Sequence, residues 1–96
     1  MEKSDIINKL RKYKIENCKK YSFSKIGLFG SVSRNSAHEL SDIDILIELD
    51  SPDLFLLGNI KYELEEEFGK KVDIIRLRDG MNAFLKKRID KEAIYV

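Results

Sequence analysis

Residues 42–49 read Asp-Ile-Asp-Ile-Leu-Ile-Glu-Leu, the stretch that most narrows what this chain can become. Successive side chains of an extended strand point to opposite faces. Ile43, Ile45, Ile47 and Leu49 therefore share one side, and Asp42, Asp44, Leu46 and Glu48 the other. The apolar side must be covered by something, and the rest of the sequence supplies the cover. Ile6, Ile7, Leu10, Tyr13, Cys18 and Tyr21 recur at loose helical spacing, which predicts a helix over about 4–20 with Ser4 as its cap. Lys25 to Phe29 is short and apolar and predicts a strand that runs into Gly30-Ser31 and a short helical turn. Ser51-Pro52 opens a further helix, with Ser51 as cap, whose buried stripe is Phe55, Leu56, Ile60, Leu64 and Phe68. Gly69 stops it. Val72 to Leu77 forms a third strand, Met81 to Ile89 a last helix, and Ala93 to Val96 a short closing strand. The expected fold is α/β (α+β), a small sheet of three to four strands with helices packed against it.

At 96 residues the chain is expected to be one domain, 1–96, with one modest core. Apolar residues make up 43% and charged residues 36%, a balance that argues against disorder. No apolar run approaches the roughly 20 residues that cross a bilayer, and no signal peptide is visible, so a cytoplasmic location is the expectation. A single cysteine, Cys18, excludes an internal disulfide and a cysteine zinc cluster. His38, also alone, is read as solvated. The net charge of +1 conceals an uneven distribution. Residues 39–67 hold ten acids against one lysine, while residues 1–25 and 68–96 each hold eight Lys/Arg. An acidic centre between basic ends suits a cation site with anion-binding walls. Most of these charges are nevertheless solvated helix faces. The near-zero balance argues against a dedicated nucleic-acid binder.

Asp42 and Asp44 project from one strand face, close enough to repel, and a divalent cation with oxygen ligands offsets that repulsion. Gly30-Ser31 ends the preceding strand and opens a turn whose backbone N–H groups favour an anion. Neither GxxxxGK[ST] nor GxGxxG is present. Ten residues separate Gly30-Ser31 from Asp42, so a phosphate cradle and a metal pair lie at the joined ends of consecutive strands. Asp73 lies in the third apolar strand, where an aspartate is costly unless paired or coordinated. It joins the cluster if strand three lies beside strand two.

The stretch GSVSRNSAHELSDIDILIEL resembles the signature of the polymerase-beta-like nucleotidyltransferase superfamily, and most closely its minimal nucleotidyltransferase family. The likeness runs from about Ile26 to Leu49 and resumes at Lys71 to Leu77. Gly30, Ser31, Arg34, Ser41, Asp42, Asp44 and Asp73 fall on matching positions; Ser33 and Asn35 depart from the alanine and glycine common there. The resemblance implies transfer of a nucleoside monophosphate, AMP from ATP by family expectation, with Asp42, Asp44 and Asp73 as metal ligands for two Mg²⁺ ions. It implies that Gly30, Ser31, Arg34 and Ser41 bind the nucleotide. Arg34 is left between two roles, binding phosphate and bracing the loop. Larger relatives add a second domain over the cleft, so a bulky acceptor or a partner is expected here, in a hetero- or homo-oligomer. Minimal nucleotidyltransferases resemble antitoxins that adenylylate a tyrosine of a HEPN-domain toxin. Two other readings stand beside this one: a module that neutralises a partner by contact alone, and a small-molecule transferase of the aminoglycoside-modifying type.

Overall fold

The computed structural model describes residues 2–34, 42–51 and 53–96. Its elements are α1 (Lys3–Asn17), β1 (Phe23–Phe29), α2 (Gly30–Ser33), β2 (Ile43–Leu49), α3 (Leu54–Phe68), β3 (Val72–Arg76), α4 (Ala83–Glu92) and β4 (Ile94–Tyr95). The strands form one sheet in the order β3-β2-β1-β4. β1 is antiparallel to β2 and to β4, whereas β2 and β3 are parallel, with α3 as the crossover that parallel pairing requires. The mixed sheet with helices packed against it agrees with the expected fold class, with four strands rather than three.

The isoleucine face of β2 does what its alternation dictates. Ile43, Ile45 and Ile47 join Ile26 and Leu28 of β1, Ile6, Leu10 and Tyr13 of α1, and Ile60, Leu64 and Phe68 of α3 in the larger core. Each fully buried side chain of this size contributes about 1.5–3 kcal/mol. On the opposite face a smaller cluster of Phe29, Leu46, Leu77 and Ile89 seats α4. Phe23 and Ile26 both enter the larger core although they are three residues apart, because the β1–β2 register shifts between Phe23 and Lys25. At Gly27 an added Cβ would stand 2.6 Å from the Ile94 carbonyl oxygen, so only glycine lets β4 pair there.

Several boundaries differ from the sequence reading. α1 begins at Lys3, with Glu2 rather than Ser4 as cap, and the Asp5 carboxylate accepts from the Glu2 N–H. It ends at Asn17, and half-buried Cys18 occupies its C-cap. Asp53, not Ser51, caps α3, because its carboxylate accepts from both Phe55 and Leu56 N–H. Pro52 lies outside the described residues. Phe55 is 90% exposed rather than part of the stripe. Five residues before Ile60 it stands well off the face that Ile60, Leu64 and Phe68 share. The same holds for Phe84, 81% exposed in the first turn of α4 and five residues before Ile89.

Candidate active site

The sheet register assembles the acids. Phe29 stands opposite Asp44 on one side, and Asp73 stands opposite Asp44 on the other. The third acid, Asp42, lies two residues before Asp44, immediately ahead of β2. Parallel in-register pairing puts Asp44 and Asp73 on the same face, one interstrand step apart, roughly 4.8 Å between backbones. This is the face that also carries Leu46 and α4. Asp42 and Asp73 are exposed and Asp44 half-buried. The Asp44 carboxyl is raised above the ordinary range by burial first, then by the Asp73 and Asp42 charges, while the Arg34 guanidinium opposes the shift.

Gly30 fastens this row to the preceding turn. It is buried, with φ +75°, a backbone conformation that favours glycine. A Cβ placed there would meet Asp44 Oδ2 at 2.2 Å. The glycine is therefore demanded twice, by the turn and by the carboxylate seated against it. α2 follows at once, with the Ser33 hydroxyl donating to the Gly30 carbonyl at 2.8 Å and the Arg34 N–H to the same oxygen at 3.1 Å. From the far end of the chain, Lys3 Nζ donates to the Ser33 carbonyl at 3.0 Å and pins the turn against α1. Arg34 Nη1 stands 3.5 Å from Glu92 Oε1, at the end of α4. Lys3 and Glu92 were not legible as site residues, since each reaches the turn across a long separation that no local pattern announces.

Of the residues singled out in the sequence, Gly30, Ser31, Arg34, Asp42, Asp44 and Asp73 collect at one end of the sheet. Ser41 lies outside the described residues, as does His38. Among the described residues no three acidic, histidine or cysteine side chains form a ready-made metal cage. The donor set still suits Mg²⁺, which is usually held by one or two carboxylates together with substrate phosphates. Crowding that burdens the Asp44 charge is the condition a bound cation would relieve.

The fold and this site define a nucleotidyltransferase. The profile of the nucleotidyltransferase domain family matches residues 10–96, and the chain belongs to that family. Within it, the chain is 40% identical over 91 residues to a Methanocaldococcus jannaschii protein provisionally named a protein adenylyltransferase, covering 94% of this chain and 97% of that one. Among solved structures it is similar to a minimal nucleotidyltransferase, with a TM-score of 0.79 and 28% identity, covering 98% and 95% of the two chains. It is also similar to a chain of a toxin–antitoxin complex with AMP-PNP, with a TM-score of 0.75 and 26% identity, covering 92% of this chain and 69% of that one. A chain of the complex between tri-AMPylated Shewanella oneidensis HEPN toxin and MNT antitoxin shares the fold, with a TM-score of 0.70 at 22% identity, covering 97% and 70%. Among the described residues no helix is long and apolar enough to cross a membrane.

Proposed function

We propose that this chain transfers AMP from ATP to a hydroxyl, most specifically a tyrosine of a partner HEPN-domain toxin, and acts as its antitoxin. The observation that carries the reading is the register pairing of Asp44 with Asp73, with Asp42 two residues upstream and Gly30 packed against Asp44. Similarity to a protein named as an adenylyltransferase, and to toxin–antitoxin chains, supports the choice of acceptor.

In this reading Gly30 and Ser31 receive the β- and γ-phosphates, where N–H groups of a turn favour anions, and Ser41 is a further nucleotide-binding residue. Asp42 and Asp44 would hold Mg²⁺, with Asp73 as a further ligand on the acceptor side. Two such ions would supply charge neutralisation for the phosphoryl transfer. Asp73, on the edge strand, faces the incoming hydroxyl and accepts its proton directly or through water. The hydroxyl oxygen forms a bond to the α-phosphorus, the bond from that phosphorus to the bridging oxygen breaks, and pyrophosphate leaves with the electron pair.

The test is to incubate the chain with ATP, Mg²⁺ and the product of the neighbouring gene, and to weigh that product by mass spectrometry. The expected result is one or more added AMP groups located on tyrosine. An unmodified partner at full occupancy of the complex would remove the catalytic reading. Asp42→Ala with Asp44→Ala separates catalysis from contact: neutralisation should disappear while the complex still forms. Retained neutralisation would favour a module that acts by binding alone.

A further inference from the structure

Glu92 closes α4, and its mostly buried side chain reaches two arginines. Oε1 lies 3.5 Å from Arg34 Nη1, and Oε2 lies 3.6 Å from Arg88 Nη2. The Arg88 guanidinium in turn lies over the Phe29 ring, 5.3 Å from its centroid, and Phe29 is the residue before Gly30. One carboxylate thus addresses both ends of the Gly30 turn, directly at Arg34 and through Arg88 at Phe29.

Helix stability gives little reason for an acid at this position. The C-terminal end of a helix carries partial negative charge and favours cations. The pair within α4 places Arg88 four residues before Glu92, the weaker of the two orders for such a pair. Oε2 is buried, and among the described residues nothing hydrogen-bonds it. Both arginines are substantially exposed, where an ion pair contributes little to folding. Arg34, however, is a long cation whose N–H closes the turn on the Gly30 carbonyl, and Gly30 is the residue against which the Asp44 carboxylate is seated. Without a counterweight, attraction would draw it onto Asp44, where it would compete with any other cation. Glu92 pulls from the α4 side.

We infer that Glu92 is a positioning residue for the nucleotide: by holding Arg34 against α4 it keeps the guanidinium at the rim of the site, directed at the triphosphate rather than collapsed onto the acids. This rests on the nucleotide-transfer reading above, and the experiment is chosen to tell the two apart. The affinity of the full chain for a fluorescent ATP analogue with Mg²⁺ is measured for the natural protein, Glu92→Gln, Glu92→Asp, Arg34→Gln and the Arg34→Gln/Glu92→Gln pair. Glu92→Gln should weaken binding by about threefold to tenfold, the range of a partly exposed charge contact and its orientation. Glu92→Asp should fall between it and the natural protein. In the Arg34→Gln background Glu92→Gln should cost nothing further, since the two act as one unit. The Glu92→Gln protein should melt no lower than the natural one, a readout that a merely structural role would move.

Unchanged affinity in Glu92→Gln would overturn the inference. So would additive losses in the double variant, or a lowered melting temperature accompanied by weakened binding that persists without Arg34. Failure of the natural protein to bind the analogue would overturn both proposals. The expected binding pattern without AMP transfer to the partner would leave Glu92 in its role and remove the transfer reading.

Discussion

The two faces of the sheet are built for different purposes. One is closed: Ile43, Ile45 and Ile47 meet α1 and α3 in a core where most side chains are fully buried. The other is covered only in part, by α4, whose Ile89 packs with Phe29, Leu46 and Leu77, and its uncovered end holds Asp42, Asp44 and Asp73. Alternation along β2 assigns consecutive residues to these opposite duties. Ile45 is buried in the core from the same eight-residue stretch in which Asp44, in the proposed reading, serves the chemistry.

Substitutions on the two faces should therefore fail in different assays. The largest effect is expected from Asp44→Asn. It should lower the rate of AMP transfer by about a thousandfold, roughly 4 kcal/mol in the barrier, while leaving the melting temperature unchanged or raised. Transfer followed by mass spectrometry beside a thermal melt checks both halves, and a loss of fold with the loss of rate would break the contrast. On the closed face, Leu64→Ala should cost about 3 kcal/mol of stability in urea unfolding and leave triphosphate affinity of the folded fraction intact. Gly30→Ala should damage both properties. A strained positive φ and the contact with Asp44 together should cost about 2 kcal/mol, and triphosphate binding should weaken in parallel.

The smallest expected effect is one of pH. Asp44 has a raised folded-state pKa, so over that window the folded chain binds more protons than the unfolded chain. Stability from this group is present below the unfolded carboxyl range and is lost as pH rises through the folded value. The difference in urea midpoint between Asp44→Asn and the natural protein, measured with chelator, should grow in favour of the asparagine form from acid toward neutral pH and then level. A flat difference would mean that crowding at the site does not burden Asp44.

Much of this division was visible before any coordinates. Period-two alternation made β2 readable, and Gly69, with φ +65°, ended α3 as expected. Gly30-Ser31 and Asp42-x-Asp44 pointed to one site because the chemistry of each needs a neighbour of the other's kind. What local sequence could not supply was choice among good candidates. Asp53 won the cap of α3 from Ser51 by accepting two N–H groups, a contest decided by backbone geometry. Phe55 and Phe84 carry the same apolar signal as true core residues, yet helix phase leaves them in solvent. Lys3 and Glu92 reach the turn from opposite ends of the chain, and nothing near either residue in sequence announces the encounter.

Asp73 occupies an outermost strand, with β2 along one flank only. Asp44, by contrast, has Phe29 on one side and Asp73 on the other, and the lateral approach to Asp73 crosses no other strand. In the proposed reading, an acceptor as broad as a folded protein would offer one protruding hydroxyl sideways, without parting the sheet.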